Sequence, residues 1–322
     1  MRTGAYILPR DDLGRATELA RVADQLGYDS LWVTHGLGRD SFLVLAAYAQ
    51  ATRRIGLGTG VVPIYPRHPV AMAQEAVTLG ELSGGRLRLG IGVSHRPSMT
   101  DALGLDMGAP LAVMREYVTV LRAALTGRAR FDGRYYRVTW ESAFRPPVPA
   151  PPLYLAGLSA PMLELAGELA DGVVLWLCAP AYIRDVARPA LARGRAKAGK
   201  SLDGFEVVAA VPVAATDDAA GLGRVFGEEL VRYLSLPFYR AMFRASGLGD
   251  GLAAFDRDRT RRPPAEAVPA TLVETLGAIG DRATVRAYLD AYRAAGVTLP
   301  VVRPIGAPEM PHARPTLEAA AP

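Results

Sequence analysis

Two histidines stand where a β-rich run gives way to a loop: His35 in Trp32-Val33-Thr34-His35-Gly36, and His95 in Gly92-Val93-Ser94-His95. An imidazole with an unperturbed pKa of ~6.5 at a strand mouth suits general acid–base transfer. A hydrogen-bonded structural histidine is the other reading of each. His68, between Arg67 and Pro69, reads as a helix-start residue that positions its loop, and His312 lies in the C-terminal tail. None of the four histidines has His-x-His or His-Glu-x-x-His spacing, so no zinc set is recognised and no metal is expected. Carboxylates are scarce in the same places. No Asp or Glu closes any of the first six predicted strands, which argues against the paired carboxylates of glycoside hydrolysis. The nearest approach to a Gly-x-Ser-x-Gly nucleophile turn is Gly157-Leu158-Ser159-Ala160-Pro161, which lacks the final glycine. The single Cys178, in Val174-Leu175-Trp176-Leu177-Cys178, has no partner for an intramolecular disulfide and reads as a small buried hydrophobe.

What remains for chemistry is a lining of backbone, apolar and aromatic groups with two or three imidazoles. Such a lining suits a planar redox cofactor, which carries the difficult step while the protein orients it and moves protons. Trp176 ends a β-rich run and can wall a flat ring, with a core tryptophan as the alternative. The turn Ala156-Gly157-Leu158-Ser159 precedes a helical run, so its N–H groups and the helix dipole can receive an anionic cofactor tail. A plain strand–helix turn is the alternative there. Gly58-Thr59-Gly60 and Gly90-Ile91-Gly92 lie inside strands, where glycine marks a bulge or the close approach of a flat ligand. Neither supplies the third glycine that a dinucleotide fingerprint places at a helix start.

The elements that must position these residues alternate along the chain. Strands are predicted at 3–8, 29–34, 55–62, 86–94, 153–156, 172–177, 205–213 and 297–302. Helical-period segments fall at 11–27, 41–52, 69–82, 110–126, 160–169, 180–199, 217–235 and 282–295, and the tail 307–322 supplies a last helix. Eight strand–helix units over ~300 residues favour an α/β (β/α)₈ TIM barrel over a doubly wound sheet. We expect one barrel domain over residues 1–322, with insertions at about 128–152 and 236–270. The first carries a Gly133 hairpin and five prolines between 146 and 152; the second is Arg/Pro-rich and reads as irregular. In such a barrel the chemistry belongs at the C-terminal strand ends.

Composition agrees with a globular protein: of 322 residues, 50% are hydrophobic and only 21% charged. The net charge of +5 comes almost wholly from arginine, with lysine only at 197 and 200, and the arginines are scattered rather than massed. No nucleic-acid stripe is present, and the basic balance suits an anionic small molecule. Apolar runs such as Val207 to Ala215 are too short to span a membrane. A soluble, cytoplasmic protein with a small-molecule substrate is the expectation.

Three spaced motifs then give a resemblance. Gly58-Thr59-Gly60-Val61-Val62-Pro63-Ile64-Tyr65-Pro66-Arg67-His68-Pro69, followed by Glu81-Leu82-Ser83-Gly84-Gly85-Arg86-Leu87 and Leu89-Gly90-Ile91-Gly92, resemble the luciferase-like monooxygenase superfamily. Met162-Leu163-Glu164-Leu165-Ala166-Gly167-Glu168-Leu169-Ala170-Asp171-Gly172 is similar to that superfamily's crossover from the fifth to the sixth strand. The resemblance runs from about residue 3 to residue 305 and is nearest to the branch that uses the deazaflavin coenzyme F420. That branch includes methylene-tetrahydromethanopterin reductases and sugar-phosphate dehydrogenases.

The resemblance implies an F420-dependent oxidoreductase that exchanges a hydride with a small organic substrate, and a homodimer. It implies that the third strand ends in a bulge with a non-prolyl cis peptide, here Gly60-Val61, supporting the back of the ring, with Val62 and Ser94 counted in the same lining. His35 stands where relatives carry an Asp or a neighbouring His. His95 stands where some relatives place a carboxylate that exchanges the substrate proton. The alternatives are a monooxygenase using reduced flavin mononucleotide (FMN) and oxygen, and a non-catalytic flavin-binding relative. Substrate identity rests with variable loops.

Overall fold

Six helices begin on a side chain that accepts a hydrogen bond from their first turn. Asp12 caps Leu13–Gln25, Asp40 caps Ser41–Ala51, His68 caps Pro69–Leu82, Ser159 caps Ala160–Leu169, Asp218 caps Ala219–Leu234 and Asp281 caps Arg282–Ala294. Each cap satisfies an otherwise orphaned N–H and contributes ~1 kcal/mol. Two of these helices, Pro69–Leu82 and Ala160–Leu169, also carry proline in the first turn, where its missing N–H costs nothing, as does Pro110–Leu125, which lacks a side-chain cap.

The computed structural model describes residues 1–36, 38–307 and 309–322. Its strands are β1 (Gly4–Tyr6), β2 (Ser30–Val33), β3 (Gly56–Thr59), β4 (Val62–Pro63), β5 (Leu87–Gly92), β6 (Arg128–Asp132), β7 (Arg137–Glu141), β8 (Leu153–Ala156), β9 (Gly172–Trp176), β10 (Glu206–Ala215), β11 (Ala278–Gly280) and β12 (Leu299–Pro304). Eight parallel strands close on themselves in the order β1-β2-β3-β5-β8-β9-β10-β12, with β12 paired back to β1. This is the expected (β/α)₈ barrel. The tail helix Ala313–Ala320 completes the eighth unit, as the sequence reading required.

Four departures from that reading have identifiable causes. The third strand is not continuous over 55–62: it stops at Thr59 and resumes at Val62, and the peptide between Gly60 and Val61 is cis. The segment 236–270 is not irregular. It forms helices Pro237–Ala245 and Gly249–Asp258, because Tyr239, Met242, Phe243, Leu252 and Phe255 recur at helical spacing and are buried. Helix Ala270–Leu276 and strand β11 after it were not anticipated; β11 extends the sheet beyond the barrel by pairing with Val213–Ala215 of β10. The hairpin is longer than expected, with β6 and β7 antiparallel from Arg128 to Glu141.

Strand alternation divides the core into two layers. One set of side chains packs between barrel and helices; the other fills the barrel, where Trp32, Tyr154, Val174, Val208, Leu299 and Val301 meet. The N-terminal end of the barrel is closed by charge. Arg88 bonds Asp29 at 2.6 Å, Arg2 reaches Asp29 at 2.7 Å and Glu206 at 2.6 Å, and Tyr154 donates to Glu206 at 2.7 Å. That leaves the C-terminal end as the open one. Among the described residues no helix is long and apolar enough to cross a membrane.

Candidate active site

The break after β3 builds a ledge across the mouth. Gly60 N–H donates to Val33 at 2.8 Å, His35 N–H donates to the Val61 carbonyl at 3.2 Å, and Ile64 N–H donates to Gly92 at 3.0 Å. The segment is thus stitched to β2 on one side and β5 on the other. Thr59 Oγ1 donates to the Gly90 carbonyl at 2.8 Å and accepts the Gly90 N–H at 2.7 Å.

Glycine is required where these pieces touch: a Cβ on Gly90 would lie 2.0 Å from the Thr59 carbonyl oxygen. A Cβ on Gly92 would lie 2.8 Å from Val61 Cγ2 and 3.2 Å from Ala156 Cβ, so Val61, Gly92 and Ala156 close on one another. Beneath the ledge lies the Trp32 indole, 2.5 Å from the place of a Cβ on Gly58. Gly60 itself has ordinary contact distance, 3.6 Å to Trp32 and 3.9 Å to Tyr6, so only a side chain longer than alanine would collide there.

Opposite the ledge stands an aromatic and charged wall. Trp176 at the end of β9 is covered on one face by the Arg303 guanidinium, 5.4 Å from the ring centre, and meets Tyr233 at 5.9 Å. Tyr233 packs on Tyr239 at 4.8 Å, and Tyr239 meets the His95 ring at 5.6 Å. Arg303 is ion-paired with Glu229, whose other oxygen accepts the Gly306 N–H at 3.0 Å. Tyr6 faces the same space, and burial pushes its hydroxyl well above the ordinary range. Two non-glycine residues at the rim, Ser94 (φ 59°) and Leu177 (φ 55°), hold left-handed backbone just past β5 and β9. Such conformations cost ~1–3 kcal/mol and concentrate at functional sites.

The two histidines differ in setting. His35 Nδ1 lies 3.3 Å from both the N–H and the Oγ of Ser41, and Nε2 lies 3.5 Å from Arg67. Arg67 in turn pairs with Asp40 and with Glu75, the latter at 3.0 Å. Burial and then the Arg67 charge lower the His35 pKa, against the pull of Asp40. Among the described residues the His95 side chain makes no hydrogen bond, while burial and then the charge of Arg232 lower its pKa. Both imidazoles are therefore held toward the neutral form.

The structure brings Gly60, Val61, Ser94, His95, Ala156 and Trp176 to the C-terminal ends of neighbouring strands, with His35 bonded through its backbone to Val61. Val62 turns away, fully buried between barrel and helices, and offers the mouth its backbone alone. In the turn Gly157-Leu158-Ser159, Ser159 Oγ accepts the Met162 N–H at 3.4 Å, and the Tyr182 hydroxyl donates to the Leu158 carbonyl. His68 is a cap, accepting the Val70 N–H at 3.3 Å. Glu229, Arg232, Tyr233 and Tyr239 were absent from the sequence reading. They come from the excursion between β10 and β11, and no local pattern marks them, since only the folding back of these helices aims them at the mouth.

A family description, luciferase-like monooxygenase, matches residues 1–299. The chain belongs to this family. It is 33% identical to 5,10-methylenetetrahydromethanopterin reductase of Methanolobus tindarius, over 68% of this chain and 67% of that one. It is 30% identical to a Mycobacterium tuberculosis protein provisionally named a coenzyme F420-dependent oxidoreductase, over 88% and 89% of the two chains. Among solved structures, the coenzyme F420-dependent tetrahydromethanopterin reductase of Methanopyrus kandleri superposes with a TM-score of 0.85 at 23% identity, covering 99% of this chain and 97% of that one. The FMN-containing oxygenating constituent of the 3,6-diketocamphane monooxygenase of Pseudomonas putida shares the fold with a TM-score of 0.72 at 20% identity, covering 100% and 97%.

Proposed function

We propose that the protein is an oxidoreductase that binds coenzyme F420 at the barrel mouth and exchanges a hydride between it and a small organic substrate. The observation that carries this reading is the ledge: Val61, Gly92 and Ala156 pack with the closeness that only glycine at 92 permits, giving a flat apolar face under a mouth whose acids are already paired. The relatives named for F420 chemistry support the same choice. A deazaflavin fits these residues: Gly60, Val61 and Ala156 would carry the ring, Trp176 would bound it, and the N-terminus of the Ala160–Leu169 helix, at Gly157-Leu158-Ser159, would receive the anionic tail. When bound, the coenzyme supplies a hydride at the carbon that replaces flavin N5.

The chain's own residues orient the reactants and handle the proton. His95 is the first candidate, because its ring nitrogens are free of protein partners and its neutral form can accept a proton from an alcohol, or after protonation return it to a carbonyl. His35 is the second, and must first release Ser41 or Arg67. Tryptophan quenching during titration with F420 and with FMN, followed by turnover of reduced F420 in air and under strict anaerobiosis, tests the reading. Quenching by F420, equal rates in both atmospheres and no peroxide are expected. Tight binding of FMN with strict dependence on oxygen would replace it by the monooxygenase reading, which the fold shared with FMN enzymes favours. Binding without turnover of any acceptor would leave a non-catalytic flavin carrier.

A further inference from the structure

Most charged groups around the mouth pair off, and near His95 two arginines, Arg232 and Arg96, have no carboxylate partner among the described residues. Arg67 is held by Asp40 and Glu75, Arg303 by Glu229, Arg240 by Asp256, and Arg10 approaches Glu229 at 3.4 Å. Arg39 bonds the carbonyls of Arg10 and Asp11. The turns after β8 and β9, at Gly157–Ser159 and Leu177–Ala179, contain no charged residue at all. Arg232, in the last turn of the Ala219–Leu234 helix, is exposed, and no carboxylate lies within 4.0 Å of it among the described residues; Glu228, one helical turn earlier, does not pair with it. Its one side-chain bond is from Nη2 to Ser98 Oγ at 3.3 Å.

Ser98 is tied to His95, since its N–H donates to the His95 carbonyl at 3.0 Å. Arg232 is next in sequence to Tyr233, which packs on Tyr239, and Tyr239 in turn packs on His95. Arg232, Ser98 and His95 therefore share one sector of the rim. The charge of Arg232 reaches this sector, lowering the His95 pKa. Arg96 is also exposed, but among the described residues no side-chain hydrogen bond holds it in place, whereas Arg232 is fixed by its bond to Ser98. The Arg232 guanidinium presents the donors that carboxylate and phosphate oxygens accept, and its bond to the buried Ser98 hydroxyl fixes it in advance.

We propose that Arg232 and Ser98 form an anion subsite of the substrate site, so that the substrate carries a carboxylate or phosphate that docks on them while its reacting carbon faces His95. This rests on the mouth being the site of hydride exchange, as proposed above. An apolar aldehyde or alcohol would leave the guanidinium unanswered; an anionic one would be steered toward the mouth and fixed in one orientation.

Inorganic phosphate is the probe. Titrated into the protein and followed by ³¹P line broadening, phosphate is expected to bind saturably, about tenfold more weakly in Arg232→Gln and nearly as well in Arg232→Lys, which keeps the charge. Ser98→Ala should weaken it less. Because Arg232 is exposed, its two variants are expected to melt with the parent, and their melting curves check that. The same donors suit the coenzyme's anionic tail, and a second arm separates the two sources. Intact F420 and its tail-less riboside precursor are each titrated into parent and Arg232→Gln protein by tryptophan quenching. Unchanged affinity for both places the subsite with the substrate. Loss for intact F420 alone would assign it to the coenzyme and overturn the proposal, as would phosphate binding that ignores Arg232 or does not occur. Failure of F420 to bind the parent protein would show separately, and would remove the deazaflavin reading while leaving the phosphate result to stand.

Discussion

Replacing Gly58 by alanine tests whether the Trp32 indole is the support under the ledge. The added Cβ would sit 2.5 Å from Cδ2 and Cε3 of Trp32 and 2.8 Å from Cε2, against ordinary contacts beginning at 3.4 Å, so the ring must move by about 1 Å. It has little room to do so. Trp32 is 1% exposed, meets Tyr154 edge-on at 5.5 Å and donates from Nε1 to Ser30 Oγ at 2.9 Å. Overpacking of this kind costs ~1–3 kcal/mol, and loss of the indole bond leaves a buried donor worth ~1–3 kcal/mol more. Gly58→Ala is therefore expected to lose ~2–6 kcal/mol in urea unfolding followed by circular dichroism. Because the same ring lies 3.6 Å from the place of a Cβ on Gly60, F420 affinity should fall with it. Trp32→Leu is destabilising alone, but combined with Gly58→Ala it makes room for the methyl group, and the pair should be at least ~1 kcal/mol less damaging than the sum of the singles. A Gly58→Ala protein within about 0.5 kcal/mol of the parent, or strictly additive effects, would refute the argument.

Other expectations follow from the same geometry. His95→Gln should lower turnover by roughly 10²- to 10⁴-fold with little change in coenzyme affinity, whereas a purely structural His95 would change both little. Both histidine pKa values are lowered by burial and a neighbouring arginine, so the unfolded chain takes up protons at these sites first as pH falls. Stability present above the ordinary value of about 6.5 should accordingly decline as pH drops through the folded values. A His35→Gln/His95→Gln protein that keeps the same decline in urea titrations at several pH values would assign it elsewhere. Burial pushes the Cys178 thiol up to about 12; it should resist a thiol reagent in the native protein at pH 8 and react once unfolded, and rapid native labelling would contradict its burial. Gly90→Ala places a methyl group 2.0 Å from the Thr59 carbonyl oxygen and is expected to yield little soluble protein, a sharper loss than Gly58→Ala because backbone cannot rotate aside.

The sequence alone determined the barrel and where its mouth would be. Strand and helix periods are local, and so are the caps at Asp12, Asp40, Ser159 and Asp281, which mark helix starts through a side chain and an N–H a few residues apart. The glycines at 58, 60, 90 and 92 could be seen to need close approach, although not what would approach them. Only the tertiary structure decided that: Trp32 for Gly58, the Thr59 carbonyl for Gly90, and Val61 with Ala156 for Gly92, each brought from a different strand. The same holds for charge. No barrel strand ends in a carboxylate, yet Glu229 reaches Arg303 from a helix 74 residues earlier, and Asp40 and Glu75 enclose Arg67. The 236–270 segment shows the limit most clearly. Its arginines and prolines read as a loop, but Tyr239, Met242, Phe243, Leu252 and Phe255 find an apolar surface only once the barrel exists, and burial there outweighs local composition. Pairings between distant segments have no signature within either segment, because the energy that selects them arises only when closure of the barrel brings the two surfaces together.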